Sequence, residues 1–200
     1  MPEERAMELH SKDRFKKVDI TDIAIKKVPR ISYKGLTEEQ NGDLQKLAQL
    51  VLLKSKLENN SNEYAATVSL NNKILLDQIG FAEGDEHGVK VHADTDSHHI
   101  IVSAKDVSVV IIHNHPSTQT LSIEDIGFFL YETTVRILVV VTNQGTVHYI
   151  MKDTDYDHHA AEKLRRECTE DLTKWSSERE CYEAALDFLT HCSEVGLYYR

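Results

Sequence analysis

Two histidines and one aspartate occur at a spacing that suits a metal ion. His113 and His115 stand one residue apart at the end of the apolar run Val109–Ile112. Because side-chain direction alternates along a strand, both imidazoles should point to the same face. Asp125 lies three residues after Ser122, a good helix N-cap, and should therefore occupy the first turn of a helix. Two imidazoles and one carboxylate are typical ligands of a catalytic zinc ion, which keeps its fourth position open for water.

The string His113-Asn114-His115 also spells the name of the HNH nucleases. In those enzymes the named residues are dispersed through a ββα fold, so a contiguous string does not indicate a nuclease. The other histidines lack ligand spacing beyond adjacent pairs, whose side chains point apart on a strand or helix. We therefore expect them at the surface, although His92, His98 or His99 could lie near the site. They are His10, His87, His92, His98, His99, His148, His158, His159 and His191.

Hydrophobic patterns predict the elements that position the candidate ligands. Val107–Ile112 and Val135–Thr142 are nearly continuous apolar runs, as expected for strands buried on both faces. Thr37 and Gln40 form a capping box that begins a helix, and turn-favouring residues should end it around Asn59–Asn62. The pattern of the central region therefore predicts a mixed α/β (α+β) unit, in which helices flank a β-sheet.

Weaker patterns predict the elements in between. The segment Gln78–Asp96 is rich in charge and glycine and should be mostly loop. The other predicted elements are strands at Glu63–Leu70, Lys73–Asp77, Val89–Val91 and Thr146–Met151, a tight turn at Asn71–Asn72, and a short helix at Ser97–Lys105.

The chain divides into three regions. Residues 1–36 form an N-terminal arm, in which Val18–Tyr33 should be extended and interrupted at Pro29. Residues 37–152 form the α/β domain, and residues 153–200 form a C-terminal helical hairpin packed on it, with a break at Ser176–Ser177. The hairpin is predicted from two helical stripes: Leu164, Cys168, Leu172 and Trp175, then Tyr182, Ala185, Leu186, Leu189 and Cys192.

Composition narrows the function classes. The formal net charge of −10 disfavours extensive electrostatic binding to the phosphates of nucleic acids. No run approaches the ~20 apolar residues of a membrane span, and the charged N-terminus lacks a signal-peptide core, so we expect a cytoplasmic protein without membrane contact. Cys168, Cys181 and Cys192 show no C-x-x-C spacing, which indicates neither a disulfide framework nor a cysteine zinc site.

The pattern His113-x-His115-Pro116, followed by Ser122-x-x-Asp125, resembles the JAMM motif of the JAB/MPN metallopeptidases. The sequence Ile-His-Asn-His-Pro-Ser is most similar to that of bacterial RadC-like and phage-associated JAB domains. The resemblance covers roughly residues 40–152 and implies a JAB/MPN-like fold with cytidine-deaminase-like layering. The loop from His115 to Ser122 is one residue shorter than the usual family spacing.

The resemblance also implies roles for individual residues. One zinc ion per chain, held by His113, His115 and Asp125, would activate a water molecule. Glu63, at the start of the predicted strand after the Thr37 helix, matches the family's upstream glutamate and would act as general base. Ser122 would stabilise the oxyanion. The implied reaction is hydrolysis of a peptide or isopeptide bond in a protein or peptide, with ubiquitin-like proteins among the candidate substrates.

Several alternatives stay open at this point. Glu58, Glu83 and Glu86 compete with Glu63 for the role of base. The chain could be a metal-free MPN-like scaffold for protein binding, although such relatives typically lose the ligands that this chain keeps. It could also be a RadC-like protein associated with DNA repair, an interpretation weakened by the acidic charge and by the lack of a helix-hairpin-helix region in the sequence.

Overall fold

The computed structural model describes residues 15–71 and 78–200. The helices in these ranges are α1 Asp22–Lys27, α2 Glu38–Glu58, α3 Thr95–Ser103, α4 Ile123–Tyr131, α5 His158–Cys168 and α6 Glu178–His191. The strands are β1 Tyr64–Ser69, β2 Gly80–Glu83, β3 Val109–His115, β4 Val135–Thr142, β5 Val147–Lys152 and β6 Leu197–Tyr199. Short 3₁₀ helices occupy Val91–Ala93 and Cys192–Val195.

The described strands form one mixed sheet in the order β2-β1-β3-β4-β5-β6. Neighbouring strands are antiparallel except for β3 and β4, which are parallel. A parallel pair needs a crossover connection, and α4 provides it. Because α4 runs back from the end of β3 to the start of β4, its N-terminus lies beside the last residues of β3. The two parts of the predicted metal motif therefore meet at the carboxyl-terminal end of β3, inside the sheet.

Helices cover both faces of the sheet. On one face, Val51 of α2 packs in a core cluster with Ile112 of β3. On the other face, Phe129 of α4 and Phe188 of α6 pack in a second cluster with Ile111. Every residue of β3 is buried, as its apolar sequence requires of a strand covered on both sides. The predicted mixed α/β class is thus confirmed.

Several predicted elements agree with the structure. Thr37 and Gln40 form the expected capping box, and α2 ends at Glu58, immediately before the predicted stop. Strand β4 has the predicted bounds, and the predicted helix at Ser97–Lys105 appears as α3, two residues earlier at each end. Among the described residues, no helix combines the length and the apolar composition needed to cross a membrane.

The extended segment predicted at Val18–Tyr33 is wrong in part, because it contains helix α1. The Thr21 hydroxyl caps this helix by accepting a hydrogen bond from Ala24 N at 3.1 Å. Asp22 lies in its first turn and Lys26 in its last, where their charges complement the helix dipole. These capping signals outweigh the β-branched composition of the segment.

On the side away from β3, strand β1 pairs with a strand that the sequence analysis did not predict. Lys73–Asp77 lies outside the described residues, and β1 pairs with β2, in a segment predicted to be loop. Gly80 permits this strand to pass under α3, because a Cβ at this position would lie 2.3 Å from Ser97 N. The strand predicted at Val89–Val91 is wrong, since Val91 begins a 3₁₀ helix and Asp94 then caps α3.

The C-terminal region forms the predicted helical pair, with Ser177 as N-cap of α6 at the predicted break. The first stripe extends too far, because α5 ends at Cys168 and Trp175 is 83% exposed. After α6 the chain returns to the sheet as β6 beside β5, which the sequence analysis did not predict.

Candidate metal centre

The end of β3 brings His113 and His115 to one face of the sheet, toward α4. Both side chains are buried, and their Nε2 atoms lie 3.0 Å apart. The intervening Asn114 points to the opposite face, as alternation along a strand requires. The predicted orientation of the two imidazoles is therefore present.

The N-terminus of α4 supplies the carboxylate. Ser122 and Asp125 form a capping box in which Asp125 Oδ2 accepts hydrogen bonds from Ser122 N at 2.8 Å and from Ser122 Oγ at 2.7 Å. This fixes the Asp125 side chain so that Oδ1 lies 3.1 Å from His113 Nε2 and Oδ2 lies 3.2 Å from His115 Nε2. The structure thus brings together the three predicted ligands.

The donor atoms fit a zinc ion. Ligand atoms about 2.0–2.1 Å from a tetrahedral zinc ion lie roughly 3.3 Å from one another. The two imidazole nitrogens lie 3.0 Å apart, and each lies 3.1–3.2 Å from one of the two Asp125 oxygens, so a small expansion would admit the ion. Two neutral imidazoles and a carboxylate are also ligands that Zn²⁺ prefers.

Glu63 lies beside these residues, one position before β1. Its backbone is held by hydrogen bonds from Glu63 N to Asp85 O at 2.9 Å and from Gly84 N to Glu63 O at 2.9 Å. The side chains of Glu63, His113 and His115 are buried, and their ligand atoms all lie within 4.8 Å of one another. This proximity suits a base beside a metal ion, and it also suits a further ligand.

The competing carboxylates are placed less well for the role of base. Glu58 is engaged by Lys54 Nζ at 3.0 Å and by Tyr64 OH at 3.2 Å. Glu83 is exposed at the end of β2, and Glu86 lies on the cleft wall 4.0 Å from Lys17. Of these four carboxylates, Glu63 alone belongs to the buried group that contains both histidines.

Burial and mutual charge shift the ionisation of this group. Burial raises the pKa of Glu63 to about 7, although the charges of His113 and His115 oppose the shift. Burial alone would raise the pKa of Asp125, but the charges and hydrogen bonds of the two histidines hold it well below its usual range. Burial likewise opposes ionisation of His115, yet Asp125 and Glu63 raise its pKa to about 9. Perturbed groups crowded below a cleft are typical of functional sites.

A network on the opposite face of β3 holds the surrounding segments, and the sequence analysis did not predict it. Asn114 Oδ1 accepts a hydrogen bond from Tyr64 N at 2.8 Å, which fixes the residue after Glu63. Asn114 Nδ2 donates to Asn143 Oδ1 at 2.8 Å and to Asn62 O at 3.0 Å. The available signal was a polar residue in a strand predicted to be buried on both faces, since a buried amide must find partners.

Asn143 extends this network to the N-terminal arm. Its Nδ2 donates to Val18 O at 2.7 Å and to Ser61 O at 2.9 Å. Val18 N in turn donates to Pro116 O at 2.8 Å, immediately after the second histidine. Ser55 of α2 also belongs to the network, because its hydroxyl accepts a hydrogen bond from Asn114 Nδ2 at 3.3 Å and donates one to Asn62 O at 2.6 Å. We call the set Ser55, Ser61, Asn62, Asn114 and Asn143 the amide network.

A cleft of about 970 Å³ opens above the candidate ligands. Its walls include Phe15 of the arm, His87 of the loop after β2, Phe128 of α4 and Tyr182 of α6. The rings of Phe15 and Tyr182 meet edge to face with centroids 5.9 Å apart, so the two terminal regions close one side. The volume is at the upper end of the range for small-molecule and cofactor sites.

Comparison of the chain with protein-family models, with curated proteins and with solved structures found no match. The resemblance to JAB/MPN metallopeptidases therefore stays a prediction. The arguments about function depend on the geometry of the residues themselves.

Proposed function

We propose that the protein is a zinc-dependent hydrolase of the JAMM type, with one zinc ion held by His113, His115 and Asp125. The observation that carries the proposal is the closed arrangement of these three side chains at the floor of a cleft, with contacts of 3.0–3.2 Å between their ligand atoms. Bound zinc supplies Lewis acidity, which brings the pKa of a coordinated water molecule toward about 7.

Glu63 is the proposed general base. Its carboxylate takes the proton of the attacking water and delivers it to the leaving amine. The placement of Glu63 supports both steps, because its ligand atom lies within 4.8 Å of those of His113 and His115, within reach of a water molecule held beside them. The hydrogen bond from Tyr64 N to Asn114 fixes the backbone that carries Glu63.

Ser122 is the proposed donor to the oxyanion. Its hydroxyl donates to Asp125 Oδ2 at 2.7 Å and accepts from Asp125 N at 3.0 Å. To donate to a substrate oxygen, the hydroxyl hydrogen must turn away from Asp125, whose Oδ2 keeps the hydrogen bond from Ser122 N. Ser122 thus combines a structural and a catalytic function in this proposal.

The proposed reaction is hydrolysis of a peptide or isopeptide bond. A cleft of about 970 Å³ accommodates an extended segment of a protein or peptide but not a folded domain. Ubiquitin-like proteins with extended tails are among the candidate substrates. The proton transfers balance, because the proton that Glu63 accepts from water leaves with the amine product.

Metal content tests the proposal directly. Protein prepared with zinc and dialysed against a weak chelator should retain about one zinc ion per chain, and His115→Ala should lose it. The exposed His159→Ala is the matched control and should retain the ion. His115→Ala should stay folded, because the α/β core forms without the metal, but should melt at the temperature of the metal-free wild type.

Activity completes this test. Wild type should cleave a library of peptides and isopeptide-linked peptides, whereas chelated protein and His115→Ala should not. Absence of zinc from wild type would contradict the proposal and favour a metal-free binding scaffold.

A further inference from the structure

A second histidine pair lies near the cleft, with one member on the cleft wall. It consists of His92, in the 3₁₀ helix before α3, and His98, in the first half of α3. His92 lines the same cleft as the candidate ligands, and its ring meets that of Phe128 with centroids 6.0 Å apart. Both histidines are exposed, so an ion from solution can reach them.

The two histidine pairs have nearly the same geometry. His92 Nδ1 and His98 Nδ1 lie 2.9 Å apart, and the Nε2 atoms of His113 and His115 lie 3.0 Å apart. Ring centroids are separated by 5.1 Å in the first pair and 4.9 Å in the second, with interplanar angles of 72° and 62°. Two nitrogens about 2.1 Å from one metal ion, at an angle near 90°, lie about 3.0 Å apart.

Glu132 orients the ring of His92 so that its Nδ1 can bind a metal ion. Glu132 Oε1 lies 2.7 Å from His92 Nε2, on the side of the ring away from His98. A carboxylate accepts the hydrogen of this nitrogen, which leaves the lone pair of Nδ1 directed at His98. Metal-binding histidines commonly have such a carboxylate on their second nitrogen, where it fixes the tautomer and increases the basicity of the ligand.

We propose that His92 and His98 form a second site for a divalent transition metal such as Zn²⁺ or Ni²⁺. Imidazole nitrogens favour these ions over Mg²⁺ or Ca²⁺, and water completes the coordination. Because it has two protein ligands, this site binds more weakly than the His113, His115 and Asp125 set. Glu132 caps the C-terminus of α4 and Asp125 lies in its first turn, so about 10 Å of helix separates the two sites.

Zinc titration of purified full-length protein tests the proposal. By calorimetry and equilibrium dialysis, wild type should bind about two zinc ions, one of them removed by a weak chelator. His98→Gln should bind about one, and His99→Gln, at the next exposed position of α3, should bind about two. Glu132→Gln should keep the number and weaken the second binding step by about tenfold, because it orients a ligand without being one.

One variant separates this proposal from the proposed function. His115→Ala removes a ligand of the first site only, so it should keep the weak step and lose the tight one. Equal zinc binding by wild type and His98→Gln, each with an unchanged melting temperature, would overturn the second site and show that the pair is only hydrogen-bonded. If wild type showed the weak zinc-binding step but not the tight one, the proposed function would be contradicted and the second site would still be supported.

Discussion

Strand β3 ends between two buried polar sites that satisfy their polar groups in different ways. On one face, four ionisable side chains lie together below the cleft: Glu63, with its pKa raised to about 7, His113, His115, with its pKa raised to about 9, and Asp125. On the other face, Asn114 connects the uncharged amide network, and every polar atom of its side chain has a partner within 3.3 Å.

The difference indicates what each site contributes. The amide network joins the N-terminal arm, the connection from α2 to β1, and the ends of β3 and β4, and its groups need nothing from outside. The ionisable group holds two carboxylates in a nearly enclosed space, where the charges of the neighbouring histidines favour their ionised forms and the proposed metal ion would do the same. Substitutions should therefore cost stability on one face of β3 and activity on the other.

The largest expected effect is on turnover, at Glu63. Glutamine keeps the size of the side chain but cannot accept the proton, so Glu63→Gln should lower turnover by ~100-fold to ~10⁴-fold. Zinc content, measured by mass spectrometry, and the urea midpoint should stay near wild type. Glu86→Gln, on the cleft wall, is the matched control and should cleave normally. Equal cleavage by Glu63→Gln and wild type would place the base elsewhere, and loss of zinc would make Glu63 a ligand.

The next effect is on stability, at Asn114. Asn114→Ala leaves the buried Tyr64 N and Asn143 Oδ1 without their partner, which should cost on the order of 3 kcal/mol of unfolding free energy. Urea denaturation measures this loss. Asn71→Ala, which removes exposed hydrogen bonds to Asp106, should cost little. A change at Asn114 as small as the control would show that the amide network is not what holds these segments.

Ser122 should show both kinds of effect, because its hydroxyl belongs to the helix cap and to the site. Ser122→Ala should cost about 1 kcal/mol of stability through the lost cap and about 100-fold in turnover through the lost oxyanion contact. Ser177→Ala removes the equivalent cap of α6 and is the control for stability alone. Unchanged turnover in Ser122→Ala would show that the hydroxyl stays on Asp125 and serves only as a cap.

The smallest effect concerns Lys152, a buried cation that belongs to neither site. Its Nζ donates to Glu132 O at 2.7 Å and lies 4.6 Å from the ring centre of Phe129. Burial lowers the pKa of Lys152 to about 8, although the charge of Glu132 opposes the shift. The unfolded chain then binds more protons than the folded one between about pH 8 and 10.5, so stability should rise with pH across that window.

The comparison for Lys152 is between wild type and Lys152→Met. From about pH 7 to about pH 9, wild type should gain about 1 kcal/mol relative to the variant, as measured by urea unfolding at each pH. Lys163→Met, on the exposed surface of α5, should show no such difference. Parallel curves for wild type and Lys152→Met would mean that the amine stays hydrated.

The local part of the site was predictable because each residue's position follows from a short pattern. Strand alternation placed His113 and His115 on one face, and Ser122 as an N-cap placed Asp125 in the first turn of α4. The crossover between the parallel strands β3 and β4 then brought the end of β3 and the start of α4 together. That Glu63 joins them depends on contacts across the sheet, and its placement was expected only from the family resemblance.

The parts that the sequence did not predict depend on distant partners. Helix α1 stands in a segment rich in β-branched residues, where its caps decided the structure. Strand β2 replaced a predicted loop because Gly80 allows close approach to α3. His92 and His98 meet because a 3₁₀ helix turns the chain back on itself, a geometry that no spacing rule contains.

The anchoring of Val18 has a consequence for anything joined to the start of the chain. Phe15 lies on the wall of the cleft, and the fourteen residues before it can span at most about 50 Å. A peptide appended to Met1 is therefore confined to a small volume around the site, where its effective concentration is in the millimolar range. At that concentration even a sequence with weak intrinsic affinity occupies the cleft much of the time, so a tag at this end competes with any substrate added in solution.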